Sequence, residues 1–215
     1  MKRLGVIAGS AAGLLLLVAL LYLAVASFAL RAESYPQTPP FDGMADALVR
    51  YLSGDASSLP DTLFTERERL HMVDVLGLFM GAKRLAIGCA CAGLALAALA
   101  WFLGGLRRLG TGLLLGMAAF GVLALCVGLW AAIDFNGWFT AMHLIAFDND
   151  LWLLDPAESM LIRMLPLSFF IDAVKTVALR FGLGALLLLL AALLLRRFGG
   201  KKEIAWTTSD NPPSA

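Results

Sequence analysis

Two of the 215 residues are histidines, His71 and His143, and each lies where it could do chemistry. His71 falls in Phe64-Thr-Glu-Arg-Glu-Arg-Leu-His-Met-Val-Asp-Val75, with Glu68 three residues before it and Asp74 three residues after. Residues three or four apart share a helix face, so both carboxylates lie about one turn from the imidazole. A neighbouring carboxylate fixes an imidazole's tautomer and supports its protonated form, as a general base or a metal ligand requires. The plainer reading is a solvated helix face on which Arg67 and Arg69 pair with the same acids. His143 closes Asp134-Phe-Asn-Gly-Trp-Phe-Thr-Ala-Met-His143, with Phe139 one turn before it and Phe147-Asp-Asn-Asp-Leu-Trp152 after it. Alone, it reads as an ordinary histidine at a water–bilayer boundary, where Trp138, Trp152, Phe169 and Phe170 are also at home. There is no H-E-x-x-H, no G-x-S-x-G and no phosphate-binding loop, so any chemistry rests on histidine, carboxylate and backbone groups. Cys89, Cys91 and Cys126 fall in apolar stretches and read as small buried hydrophobes.

The elements that must position these residues are dictated by composition. The chain is 60% hydrophobic and 15% charged, with mean hydropathy +0.82. Soluble domains are about 45–50% apolar and about 25% charged, so a bilayer is the natural solvent for this chain. A net charge of +1 supplies no field to draw nucleic acid. Four apolar runs stand out, at 4–30, 85–106, 109–133 and 171–195. The first would make about 40 Å of helix, more than a ~30 Å hydrocarbon core. It also exceeds the ~7–15 residues of a signal-peptide core, and it reads as a retained anchor. The fourth must recruit residues back to Ile171, which takes in Asp172, Lys175 and Arg180. Asp172 and Lys175 are spaced to pair. Arg180 either snorkels or faces a polar cavity, and charge within a span is a functional flag.

These runs predict an all-α membrane protein with one integral domain over 1–206. Four transmembrane helices alternate with outer loops at 31–84 and 134–170, and a disordered cytoplasmic tail covers 207–215. Lys2 and Arg3, Arg107 and Arg108, and Arg196, Arg197, Lys201 and Lys202 all fall on one side of such a bundle, which marks that side, with both termini, as cytoplasmic. Arg31, Arg50, Arg67, Arg69, Lys83 and Arg84 of the first outer loop run against this, offset by the acids around them. Thirteen of the 16 acids, and both histidines, then lie outside, which makes a shared site of the two histidines the natural expectation. In the first loop, Met44–Leu52 reads as a short helix whose apolar face (Met44, Ala45, Leu48, Tyr51, Leu52) is suited to the bilayer surface. Thr65 followed by Glu68 is a capping box that opens the helix carrying His71.

Two blocks carry a family resemblance. One is Glu68-Arg-Leu-His71-Met-Val-Asp74-Val75. The other runs from Asp134-Phe135 through His143, Phe147, Asn149, Trp152 and Pro156 to Leu161-Ile162 and Pro166, with weaker support from Tyr51-Leu52. The chain resembles the four-span membrane proteins typified by the bacterial lipoprotein intramolecular transacylase, Lit. Met142 and Ser159-Met160 depart from that pattern, where an aromatic and a more acidic segment are expected. The resemblance implies an acyltransferase of the bacterial cell membrane, working on its outer face without a cofactor or metal. Its partners would be the diacylated amino terminus of a lipoprotein and the surrounding lipids, with no nucleic acid. An ester-linked acyl chain of the diacylglyceryl-cysteine would move to the cysteine's α-amino group. The resemblance carries catalysis onto His71 and His143, with Glu68, Asp74 and Asn149 in support.

That reaction fits the residues present. A free α-amino group titrates near ~7.7–8.0 and a histidine near ~6.5, so an imidazole is well matched as base. His71 as base and His143 as oxyanion stabiliser or acid is one assignment, and the reverse is another. Two other classes stay open at this point. A non-enzymatic membrane scaffold or accessory protein would leave the histidines far apart, and a zinc-dependent membrane hydrolase would bring His71, His143 and a carboxylate onto one metal.

Overall fold

The computed structural model describes residues 2–199, and among them every regular element is helical. The expected tail at 207–215 and the basic Lys201 and Lys202 lie outside the described residues. Three helices are long and apolar enough to cross a membrane: α1 (Lys2–Ala29), α3 (Glu66–Ile133) and α6 (Leu167–Phe198). Three shorter ones, α2 (Met44–Ser53), α4 (Phe135–Ala146) and α5 (Met160–Met164), fill the connections.

α3 covers 68 residues but breaks at Gly105, whose φ of 73° and ψ of 172° are not helical. A positive φ strains any residue with a Cβ, so glycine is the residue that permits the break. At about 1.5 Å per residue, the arms 66–104 and 106–133 are roughly 58 and 42 Å long, each longer than a ~30 Å hydrocarbon core. The break falls just before Arg107 and Arg108, which themselves continue as helix, and Arg108 donates to the Gly104 carbonyl at 2.9 Å. The first arm begins at Glu66, so the stretch expected as a helix within the outer loop is continuous with the run at 85–106. Nothing between residues 66 and 85 interrupts it: there is no proline, and the capping box at Thr65 starts it cleanly.

The chain divides into two compact units. Among the described residues the first groups 2–20, 86–126 and 182–199. Its helices approach closely through small residues. Gly5, Gly9 and Gly13 recur at four-residue spacing on α1 and meet Gly104, Gly112 and Leu113. A Cβ on Gly116 would stand 2.0 Å from the Ser10 carbonyl oxygen, so only glycine fits there. Ala8, Ala12, Ala100, Leu109, Leu113 and Ala192 are buried at the centre. Of the three cysteines Cys89 alone is buried, contrary to the expectation for all three; Cys91 and Cys126 are exposed on the outside of their helices, and all three are free thiols.

The second unit groups Leu21–Leu85 and Val127–Phe181. Its core is built from Tyr35, Met44, Leu48, Tyr51, Phe64, Met72, Leu161 and Met164. The apolar face of α2 points into this core, with Met44, Ala45, Leu48, Tyr51 and Leu52 all buried. That corrects the expectation that this face rests on the bilayer. Gly43 and Gly54, both left-handed, turn the chain at either end of α2 so that the face can reach the core.

Candidate active site

Each histidine is placed by a local rule that the sequence carries. Thr65 accepts from the Glu68 N–H while the Glu68 carboxylate accepts from the Thr65 N–H, so the capping box forms and sets the first turn of α3. His71 follows one turn later. Asp134 accepts from the Gly137 N–H and starts α4, whose last turn carries His143. Both histidines are 8% exposed.

The two rings face each other, with centroids 6.4 Å apart and planes 28° from parallel. That gap is too wide for contact and narrow enough for one reacting group to reach both rings at hydrogen-bond distance. The walls are aromatic. Phe147 meets His71 edge-on at 5.2 Å and lies 5.6 Å from His143. Trp152 and Phe139 pack against His143 at 4.9 and 4.1 Å. Next to the histidines in sequence, Leu70, Val73, Leu144 and Ile145 are large, apolar and exposed.

The nitrogens are held unequally. His143 Nδ1 lies 2.8 Å from the Phe139 carbonyl oxygen. A carbonyl only accepts, so this nitrogen carries a proton and the neutral ring keeps its lone pair on Nε2. His71 Nδ1 is buried without a hydrogen-bond partner. Burial holds both imidazoles below the usual histidine range. For His71 the nearby His143 adds to the lowering, and Asp74 pulls the other way. For His143 the bond to Phe139 partly offsets burial.

The carboxylates divide the work. Asp74 acts electrostatically on His71 and is anchored by Asn149, whose Nδ2 donates to Asp74 Oδ2 at 2.9 Å. Asn149 Oδ1 accepts from the Leu151 N–H at 3.0 Å, so the same side chain shapes the loop before Trp152. Arg67 donates to the Asp150 carbonyl, tying that loop to α3 from a second point. Glu68 does something else. It is fully buried, and its hydrogen bonds go to Thr65, Ser159 and Leu161, none of them to His71. Burial raises its pKa, yet the bonds from Ser159, Leu161 and Thr65 outweigh this and hold it below the ordinary carboxylate value. Glu68 therefore fastens the start of α5 to the start of α3, and the carboxylate that acts on His71 is Asp74.

The salt-bridged surface face foreseen for this helix does not form: among the described residues the ion pair present is Lys175–Asp172, at 3.0 Å. Nor do three or more His, Cys, Asp or Glu side chains converge on a metal-binding position among the described residues.

The family model described as lipoprotein intramolecular transacylase Lit matches residues 3–170. The chain belongs to the Lit family. It is thus a member of a family of membrane-integral enzymes named for intramolecular acyl transfer on lipoproteins. The in meso structure of Lit from Bacillus cereus superposes with a TM-score of 0.72 at 22% identity, covering 95% of this chain and 98% of that one. Two structures of the same protein with one histidine replaced, by arginine or by alanine, give TM-scores of 0.70 and 0.69 at 20% and 21% identity; each covers 95% of this chain, and 95% and 96% of theirs. No curated protein sequence matches the chain.

Four residues of the candidate site went unforeseen in the roles they hold. In sequence Ser159 departs from the family pattern, and Phe147 and Trp152 are pattern residues or boundary aromatics. The Ser159 hydroxyl donates to Glu68 Oε1 at 2.5 Å, which an acidic residue at that position would not do. Its sequence signal is a helix N-cap, since its hydroxyl also accepts from the Ile162 N–H. Arg67, expected to pair with an acid, bonds a loop carbonyl instead.

Proposed function

We propose that this chain moves an ester-linked acyl chain of the diacylglyceryl-cysteine of a bacterial lipoprotein to the α-amino group of the same cysteine, leaving a lyso-form, N-acylated lipoprotein. The observation that carries this reading is the pair of buried imidazoles, 6.4 Å apart, with apolar side chains exposed beside them.

His143 is the base. With Nδ1–H held on the Phe139 carbonyl, its Nε2 lone pair is the one free to take a proton from the amine. His71 is the donor. Its buried Nδ1 has no partner, and an unpaired buried acceptor is tolerated better than an unpaired N–H, so its proton sits on Nε2. The amine nitrogen attacks the ester carbonyl carbon and its proton passes to His143. The oxyanion accepts a hydrogen bond from His71. The carbon–oxygen bond to glycerol then breaks, the glycerol oxygen takes up the proton held by the His143 imidazolium, and an amide and a free hydroxyl remain. Asp74, fixed by Asn149, supports the partial positive charge that the His71 ring gains as it donates to the oxyanion. Amine and ester belong to one molecule, so much of the barrier is met by folding the head group into an attack geometry. No covalent acyl-enzyme is required.

In the same reading the chain crosses the bilayer four times, α3 contributing two crossings on either side of Gly105. Both termini are cytoplasmic, the histidines face outward, and α2, α4 and α5 lie at the outer surface. Leu70, Val73, Leu144 and Ile145 then meet acyl chains. The test is mass spectrometry of lipoprotein amino termini from cells carrying His71→Ala or His143→Ala. Loss of the N-acylated lyso-form in both is expected, and wild-type yield in both would overturn the assignment.

A further inference from the structure

A second polar feature of the second unit lies apart from the histidines. Leu30, Arg31, Ala32, Glu33, Ser34 and Arg180 line a cavity of about 600 Å³. That volume lies within the roughly 300–1,000 Å³ typical of small-ligand sites. None of these residues belongs to the histidine site.

Arg180 is the reason to ask what the cavity holds. It stands in α6, inside the apolar run at 171–195, where an ionised side chain is costly and usually marks a ligand or ion pathway. Side chains lean toward the N-terminal end of their helix, which for α6 is the outer end. The guanidinium thereby reaches the end of α1, where it donates to the Ser27 hydroxyl at 3.0 Å. That hydroxyl donates its own proton to the Ala24 carbonyl at 2.8 Å, so it meets Arg180 as an acceptor. Among the described residues, one of its five guanidinium N–H donors is thus engaged and no carboxylate forms an ion pair with Arg180. Arg31 adds a second guanidinium to the lining, and Glu33 contributes one carboxylate that pairs with neither arginine.

We propose that Arg180 and Arg31 form a binding site for the phosphodiester of a membrane phospholipid. Two forked guanidinia match the oxygens of a phosphate, and Arg is the side chain suited to hold one at the edge of an apolar medium. The Ser27 bond holds one fork ready. Leu30 and the neighbouring helix surfaces meet the start of the acyl chains. Glu33, in the same lining, disfavours a second phosphate and accommodates a polar or cationic head.

The experiment is a titration of the purified, detergent-solubilised protein followed by native mass spectrometry, with three probes. Phosphatidylglycerol is the lipid phosphate, diacylglycerol carries the same tails without phosphate, and inorganic phosphate is the free anion. Losing one charge-assisted fork lowers affinity by about tenfold or more, so Arg180→Gln is expected to weaken phosphatidylglycerol binding by that factor. Arg31→Gln weakens it in the same direction, and Arg180→Lys, which keeps the charge but not the fork, falls between wild type and Arg180→Gln. Diacylglycerol binding stays the same in every variant. Phosphatidylglycerol binding within twofold of wild type in both glutamine variants overturns the proposal, as does an equal loss for diacylglycerol. Displacement of the lipid by millimolar inorganic phosphate would show a free-anion site and overturn the lipid as ligand. If Arg180→Gln fails to fold, Arg31→Gln, at an exposed position, decides alone.

Discussion

Replacing Glu68 with glutamine tests the role of the buried carboxylate. Oε1 accepts from the Ser159 hydroxyl at 2.5 Å and the Leu161 N–H at 2.7 Å, and Oε2 from the Thr65 N–H at 2.6 Å and its hydroxyl at 3.0 Å. Four donors converge on one charge. A glutamine keeps one acceptor oxygen; if that takes the place of Oε1, the new NH₂ faces the Thr65 N–H, donor against donor. Bonds to a charged group contribute roughly 1.5–3 kcal/mol, and a buried donor left unpaired costs about 1–3 kcal/mol, so Glu68→Gln should lose about 3 kcal/mol. For a chain of this size that is a fall in melting temperature of roughly 6–12 °C. Tryptophan fluorescence during heating in detergent measures it. The pH dependence has a definite sign. The folded pKa of Glu68 is depressed, so its contribution is complete above the ordinary value of 4.5 and is lost as pH falls through the lower folded value. Wild type should therefore approach the variant as pH drops below that value. A Glu68→Gln protein melting within about 2 °C of wild type at neutral pH would refute the clamp. Ser159→Ala, which removes one donor from Oε1, should cost about 1 kcal/mol in the otherwise wild-type chain.

Protonation of the substrate amine, near ~7.7–8.0, should make the rate fall in inverse proportion to hydrogen-ion concentration through neutrality, and the imidazoles, held below the usual range by burial, should add a second fall only below ~6.5; a profile measured on vesicle-borne substrate that steepens to inverse second order in hydrogen ion already at or above pH ~6.5 would contradict this. Asn149→Ala should reduce the rate by about tenfold through the loss of one hydrogen bond to Asp74, while Asn149→Asp, which sets two carboxylates together, should reduce it further and raise the pH below which activity is lost; single-turnover assays across pH distinguish these. Gly116→Ala should destabilise the helix packing of the first unit by about 1–3 kcal/mol, because the added Cβ meets the Ser10 carbonyl, with the melting temperature as the readout.

Much of the helical order was legible because it is written in local patterns. Long apolar runs and the capping box at Thr65 depend on neighbouring residues alone, and both are present as long apolar helices and as a formed cap. The i, i+3 pair at Asp172 and Lys175 forms as its spacing implied. Boundaries were less legible. The helix bearing His71 is continuous with the following apolar run, since no local signal separates amphipathic from wholly apolar helix when nothing breaks the backbone. The turn before Arg107 rests on one glycine, and three glycines in that stretch had equal claim.

The site divides in the same way. Sequence alone established that His71 and His143 are the only histidines, that acids flank one and aromatics the other, and that both blocks resemble one family. It could not choose between the carboxylates, since Glu68 and Asp74 stand at equal spacing from His71. Tertiary structure decided that. Ser159 and Leu161, more than 90 residues away, supply donors that take Glu68 out of the site, and Asn149, 75 residues away, holds Asp74 beside the ring. The 6.4 Å between the imidazoles, and the carbonyl that leaves His143 with a free Nε2, likewise depend on where α3 and α4 come to rest. Spacing along one helix dictates which side chains share a face, but which of them is solvated, buried or bonded is settled by what packs against that face.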